Sequence, residues 1–393
     1  MNNKIGLSDQ PKVAIVHDYL NQYGGGERVV EAMAEIWPQA TIYTSIYDEG
    51  LMKDWLKIPR DKIKTNFIQR LPFSKQLSKH YFFLYPLAFR LQGVGDADVV
   101  ISSSSYAAKF VRPKKGGIHI CYLHTVPRFL WGYDTELSRY YARGFDRYLG
   151  PLYEAIVPPI KSVLRKADYN TAQEVDVFIA NSKEVQKRIK KHYGRDSTVI
   201  YPPVNVARLS RSSNQRPATS DQQPGYFLVV SRLGGYKKVD IVVEAFNKLG
   251  LPLKIVGDGP QYKFLKEAAK NNIEFLGRRS DTEVSALLAN CRALIFPTHE
   301  DFGIVPVEAM AAGKPIIAYR GGGALETVLE GVTGEFFDHQ TTGDIIKAVK
   351  RFPPNKYSPV ACQTQAKKFS EENFKREMRS FVEEAWRRKI DLQ

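Results

Sequence analysis

The organisation of this chain turns on seventeen residues, His299-Glu300-Asp301-Phe302-Gly303-Ile304-Val305-Pro306-Val307-Glu308-Ala309-Met310-Ala311-Ala312-Gly313-Lys314-Pro315. A short apolar run, Ala293–Phe296, precedes them, and a helical pattern begins near Val305, so they form a strand–loop–helix junction. Two glutamates stand eight residues apart, Glu300 on the loop and Glu308 about one turn inside the helix. Gly303 permits close backbone approach at the helix entry, and the first helical N–H groups are expected to be open to an anion. Two carboxylates beside an anion site suit a polyhydroxyl ligand that carries phosphate. Glu308 alone could be a solvated helix residue. Its neighbours Val305, Pro306, Val307, Ala309 and Met310 are apolar, however, and a buried carboxylate is costly unless paired, so a ligand or partner is expected there.

Outward from this junction, strand and helix patterns alternate, the signature of βαβ units and parallel sheets. Tyr226–Leu233, Leu253–Val256, Ile273–Leu276, Ala293–Phe296 and Pro315–Ala318 read as strands, with helices at Val239–Leu249 and Asp281–Ala289. A last helix, Glu371–Lys389, carries Phe374, Met378, Phe381, Val382 and Ala385 on one face. Upstream, Ser210–Gly225 is polar and rich in Ser, Gln and Pro, the composition of a surface linker. Before it lies a first series: strands Val13–Val16, Asp98–Ile101 (followed by the serine run Ser102–Ser105), His119–Leu123 and Val177–Ile179, and a helix at Glu27–Ile36. The expected fold is α/β: two doubly wound, Rossmann-like domains facing a cleft, with the last helix packing back on the first domain. The expected boundaries are 1–205, a linker 206–225, 226–370, and the crossing helix 371–393. Ligands of such sheets bind outside the carboxyl ends of the strands.

Three further constellations sit at such ends. In Ser231-Arg232-Leu233-Gly234-Gly235-Tyr236-Lys237-Lys238, Arg232 and Lys237 flank a glycine turn; a planar fork and a point charge suit a diphosphate, although an ordinary basic turn has the same spacing. Gly24-Gly25-Gly26-Glu27-Arg28 follows the first strand, and Gly25 and Gly26 let backbone N–H groups approach a phosphate or sugar; the alternative is simple flexibility. In Tyr122-Leu123-His124-Thr125-Val126-Pro127-Arg128-Phe129-Leu130-Trp131, His124 leaves a strand and is either structural or a ligand contact. GxGxxG, GxxxxGK[ST] and GxSxG are absent, which counts against dehydrogenase, P-loop and serine-hydrolase chemistry. The seven histidines show no HxxxH or HExxH spacing, so no metal site is expected. Asp96-Ala97-Asp98 precedes a strand, at the wrong end of the sheet for a metal-diphosphate site.

The chain has 393 residues, 43% hydrophobic and 25% charged, the balance of a packed globular protein rather than a disordered, collagen-like or coiled-coil one. Cys121, Cys291 and Cys362 are scattered, which excludes a disulfide scaffold and fits a reducing compartment. Neither a secretion signal nor an apolar run of about 18 residues is present, so a cytoplasmic protein is expected.

Together these residues resemble the retaining GT-B glycosyltransferases of family 4, and the likeness covers most of the chain. It is carried by Glu300 to Glu308 with its AMAAGKP continuation, Ser231-Arg232-Leu233 with Lys237, and the turn Gly25-Gly26-Glu27. Ile179-Ala180-Asn181-Ser182 and Val199-Ile200-Tyr201-Pro202-Pro203-Val204 follow the same order. His124-Thr125-Val126-Pro127-Arg128-Phe129 looks like the subgroup of bacterial mannosyltransferases that use GDP-mannose, with an extra Val126 before Pro127 and Phe129 in place of Tyr. The resemblance implies transfer of a hexose, with retention, from a nucleotide-sugar donor to a saccharide or lipid-linked saccharide acceptor, in cell-surface polysaccharide or glycolipid synthesis. A UDP-sugar transferase and a GT-B-like epimerase are the alternatives. It further implies that Arg232 and Lys237 bind the diphosphate, Glu308 the ribose, Glu300 and His124 the donor sugar. Gly277 and Arg278 would lie near the base, Gly25 and Gly26 on the diphosphate, and the backbone N–H groups near Phe302, Gly303, Ile304 and Val305 would support phosphate or sugar. Neither cofactor nor metal is implied.

The net charge of +15 is concentrated: residues 51–128 hold fourteen Lys/Arg against four acids. No helix-turn-helix, RNP or zinc signature accompanies it, so nucleic acid is not an expected partner. The same stretch contains the apolar Tyr81–Phe89, flanked by Lys75, Lys79 and Arg90. These three are candidate contacts to an anionic membrane surface or to the acceptor, for a protein peripheral on the inner face of the membrane. The other reading is a solvated face over a core helix.

Overall fold

The computed structural model describes residues 11–53, 55–78, 80–132, 150–214, 225–353 and 356–391. They divide into two units, residues 1–203 together with 374–393, and residues 204–373.

The first unit is built on strands β1 (Val13–His17), β2 (Thr41–Thr44), β3 (Ile63–Thr65), β4 (Val99–Ser104), β5 (Ile118–Leu123), β6 (Val177–Ala180) and β7 (Ser197–Val199). They lie in the order β3-β2-β1-β4-β5-β6-β7, and every ladder is parallel. β1, β4 and β5 are buried along their whole length, as central strands of a parallel sheet covered on both faces must be. Side chains alternate between two cores. Ile15, Ile101 and Ile120 point to one face with Val29, Val30 and Met33 of helix Gly25–Ile36; Ala14, Val16 and Val100 point to the other with Tyr85, Phe89 and Phe110. The last helix, Glu371–Asp391, adds Phe374, Met378, Val382 and Trp386 to the first of these cores, so the last helix packs on this unit.

The second unit carries β8 (Phe227–Val230), β9 (Leu253–Val256), β10 (Ile273–Gly277), β11 (Leu294–Phe296), β12 (Ile316–Tyr319) and β13 (Gly334–Phe337) in the order β10-β9-β8-β11-β12-β13, again all parallel. Its helix Val239–Leu249 buries Val239, Val242, Val243, Ala245 and Phe246 against the sheet. Both sheets reverse strand order once, between β1 and β4 and between β8 and β11. These are the switch points outside which α/β sheets bind ligands.

Two expectations are corrected. The stretch 206–225 is not linker throughout: Val206–Asn214 is a helix, capped by the Asn205 side chain accepting from Arg208 N at 3.0 Å, with Val206 and Leu209 buried. Residues 215–224 lie outside the described residues. The serines after Ile101 do not follow a strand; Ser102–Ser104 are its last three residues and are fully buried. A buried hydroxyl is tolerated because the ladder satisfies its backbone and, for Ser102 and Ser103, an imidazole satisfies its side chain.

Candidate functional site

At the second unit's switch point, the chain leaves β8 into Ser231-Arg232-Leu233 and leaves β11 into Pro297–Gly303. The two loops are tied together. Thr298 donates its hydroxyl to Lys237 O at 3.0 Å, and the Lys237 ammonium pairs with the Glu300 carboxylate. Lys237 closes a single turn of 3-10 helix, Gly235–Lys237, and Lys238 then takes a left-handed φ of 54° to start the next helix. Arg232 is exposed and its guanidinium forms no ion pair among the described residues. Gly303, at φ 83°, caps helix Ile304–Ala311; Ile304 and Val305 sit in its open first turn, and Pro306 has no N–H to offer. Glu308 is buried in this helix, as its apolar neighbours imply. Phe302 differs from the expectation in one respect. Its side chain is buried against Phe369, with ring centroids 5.6 Å apart, so only its backbone can face a ligand. Gly277 has a φ of 67° at the end of β10, and Arg278 is exposed beside it.

At the first unit's switch point, Gly25 and Gly26 are the first two residues of a helix rather than part of a loop, so their N–H groups lie in its open first turn. Behind them is a buried polar chain. The Glu27 carboxylate lies 3.7 Å from His17 Nε2; His17 Nδ1 lies 3.0 Å from Ser103 O and 3.1 Å from Ser103 Oγ; Ser103 Oγ lies 2.7 Å from His124 Nε2. Burial works against a charged His17, yet Glu27, Asp18 and the Ser103 carbonyl together raise its pKa. Burial, with the His17 charge beside it, pushes His124 down to about 3. Val126, the residue that looked inserted, is fully buried in the core under this loop.

Sequence models of two families match in succession: "Glycosyltransferase Family 4" over residues 23–208 and "Glycosyl transferases group 1" over residues 210–369. This chain belongs to the family 4 glycosyltransferases of the GT-B fold. Among curated relatives, an uncharacterized glycosyltransferase of Methanocaldococcus jannaschii is 30% identical over 200 residues, 50% of this chain and 54% of that protein. The alpha-1,3/1,6-mannosyltransferase ALG2 of Dictyostelium discoideum is 28% identical over 220 residues, 45% of this chain and 52% of that protein. The match thus spans about half the length of these relatives. Among solved structures, Anabaena HepE in complex with UDP superposes with a TM-score of 0.68 over 94% of this chain and 99% of that one, at 18% identity, a likeness of fold.

Several residues that shape these candidate loops gave no sequence signal as such. Asp18 accepts from four backbone N–H groups, those of Ser105, Tyr106, Ala107 and Ala108, and so folds the loop that leaves β4. Gly257 (φ 132°) lies where a Cβ would fall 1.8 Å from Ser231 O, and Gly323 where one would fall 2.1 Å from Phe302 O. These two glycines let neighbouring turns support the loops that carry Arg232 and Glu300; their sequence context marks only a turn. The basic candidates fare differently. Lys75 pairs with Asp48 at 2.8 Å. Arg90 is a strut, bound to Glu174 and, at 3.3 Å, to Thr171 of helix Gly150–Glu174, rather than an outward-facing cation. Lys79 lies outside the described residues. Within Tyr81–Phe89, Tyr85 and Phe89 are core, while Phe83 and Leu87 are exposed, as are the nearby Phe73, Leu77 and Leu91.

Proposed function

We propose that this chain is a retaining glycosyltransferase that moves mannose from GDP-mannose onto a saccharide or lipid-linked saccharide, in the synthesis of cell-surface polysaccharide or glycolipid. The observation that carries the reading is the pairing of Lys237 with Glu300 across the two loops that leave β8 and β11, with Arg232 exposed on the first loop. A cation held by a carboxylate can turn to a diphosphate, while the carboxylate accepts from sugar hydroxyls. As the bond from the anomeric carbon to the phosphate oxygen breaks, negative charge builds on the diphosphate. Arg232, Lys237 and the N–H groups of Ile304 and Val305 stabilise it. The acceptor hydroxyl bonds to the anomeric carbon on the same face, and its proton passes to the departing phosphate oxygen. Glu308 accepts from the ribose hydroxyls, and Gly277 with Arg278 flanks the base. In the first unit, Gly25, Gly26 and His124 offer N–H groups to phosphate or sugar oxygens. Two cations suffice for the diphosphate, so no metal is required.

A UDP-sugar donor is the second reading, favoured by the UDP in the Anabaena HepE structure; the mannose reading is favoured by the Dictyostelium mannosyltransferase. For a lipid-linked acceptor we propose that the protein works at an anionic membrane surface on the cytoplasmic side. The exposed Phe73, Leu77, Phe83, Leu87 and Leu91 support this. Among the described residues no helix is long and apolar enough to cross a membrane.

A nucleotide-release screen across GDP- and UDP-sugars tests the reading. GDP release from GDP-mannose, unaffected by EDTA and reduced about 100-fold or more by Arg232→Ala or Lys237→Ala, is expected. UDP release alone replaces the donor, dependence on added manganese refutes the metal-free step, and wild-type turnover in either variant removes that cation's role.

A further inference from the structure

We propose that Glu27, His17 and Ser103 form a positioning relay that fixes His124 in a single neutral tautomer, with its proton on Nδ1, so that His124 presents a ligand oxygen with an N–H donor. The inference rests on the functional reading only for what the ligand is, an oxygen of a sugar or phosphate. The relay itself is read from hydrogen-bond arithmetic. The main-chain oxygen of Ser103 can only accept, so His17 Nδ1, 3.0 Å away, must carry a hydrogen. His17 Nε2 faces the Glu27 carboxylate at 3.7 Å, and both side chains are buried, which favours a doubly protonated ring beside a carboxylate. The Ser103 hydroxyl has one hydrogen. It lies beside a ring nitrogen of His17 that is already a donor, and among the described residues no other acceptor lies within reach, so that hydrogen goes to His124 Nε2 at 2.7 Å. An imidazole that accepts at Nε2 and is neutral has its proton on Nδ1. Gly26 borders the arrangement: a Cβ there would lie 3.5 Å from the His17 ring and 3.8 Å from His124 Nε2, ordinary contact distances, so both rings sit directly beside the helix entry.

The consequence is chemical. His124 in this state is a hydrogen-bond donor and not an acid, and a proton needed elsewhere in the reaction does not come from it. Glu27, His17 and Ser103 touch no ligand and act through His124.

Long-range 1H–15N spectra of the histidine-labelled full chain, without ligand, test the tautomer directly, with His124→Gln assigning the resonances among the seven histidines. Expected is a His124 Nε2 at the acceptor shift and Nδ1 at the protonated shift, unchanged from pH 5 to 8. A proton on Nε2, or titration in that range, overturns the proposal even if glycosyl transfer is confirmed. Ser103→Ala is expected to give an averaged tautomer signal and about tenfold lower kcat with KM for the donor within twofold, and Ser103→Thr to restore both. An unchanged His124 spectrum in Ser103→Ala refutes the relay. Absence of any transferase activity in the wild type refutes the functional reading and leaves the spectra to decide the tautomer.

Discussion

Asp168→Ala is the most severe test of what holds the first unit in shape. Asp168 and Lys109 form an ion pair in which both side chains are fully buried. The same carboxylate accepts from Trp131 Nε1 at 2.8 Å and from Tyr193 OH at 2.8 Å, and the lysine also donates to Tyr106 O at 2.6 Å. Removing the carboxylate strands the ammonium in the dry interior, a loss of about 3–5 kcal/mol. The buried Tyr193 hydroxyl and the half-buried Trp131 N–H also lose their acceptor, at about 1 kcal/mol each. The sum, about 5 kcal/mol or more, is a large share of the ~5–15 kcal/mol that holds a domain folded. With a urea m-value of about 1–3 kcal/mol/M, the midpoint falls by about 1.5 M or more. The assay is convenient, because all four tryptophans, Trp37, Trp55, Trp131 and Trp386, belong to the first unit, so fluorescence reports its unfolding alone. Lys109→Met combined with Asp168→Leu removes both charges and is expected to recover most of the loss. An Asp168→Ala midpoint within about 0.3 M of wild type would refute the reasoning.

Gly257→Ala is expected to abolish the thermal shift given by GDP or UDP while leaving the tryptophan transition in place, since a Cβ there strikes Ser231 O and displaces the Arg232 loop; an intact nucleotide shift would show that the loop does not depend on this contact. Burial, the larger influence, lowers His119 to about 4, and His124 lies at about 3; both rings are neutral when folded and bind protons more readily when unfolded. Their contribution is therefore present above the unfolded value of about 6.5 and is lost as pH falls toward 4, opposed in part by His17, whose shift runs the other way. The urea midpoint of the first unit should fall over that window, and His119→Gln should flatten the fall. Leu77→Ser, Leu87→Ser and Leu91→Ser together are expected to cut flotation with anionic vesicles by tenfold or more, since each buried leucine is worth about 1.5–3 kcal/mol; equal flotation removes the membrane proposal.

Much of the fold was legible because buried parallel strands are short apolar runs between turn residues, as at Leu253–Val256, where pattern and strand coincide. The misses have physical causes. Thr41–Thr44, Ile63–Thr65, Ser197–Val199 and Gly334–Phe337 are three or four residues long and half polar or glycine-led, too brief for alternation to register. Ser102–Ser104 were misplaced because polarity was equated with exposure, whereas two of these hydroxyls are matched by imidazoles on other strands. The charged loops of the second unit were found because glycine, arginine and glutamate mark backbone approach and charge directly. The polar chain of the first unit stayed hidden, because Glu27, His17 and Ser103 meet across separations no local pattern encodes. Arg90 was misjudged for the same reason: its partner Glu174 lies 84 residues away.

The last helix also bears on how the protein is made. Phe374, Met378, Val382 and Trp386 complete a core whose other members lie before residue 201, and residues 204–373 form the other unit. On the ribosome, the residues before 201 must therefore wait, with the part of that sheet face not covered by helix Gly25–Ile36 still open, until residues 204–373 have been translated. The unit whose strands come first is the last to have its core completed, and a nascent chain stalled before residue 374 leaves the remaining part of that apolar face exposed.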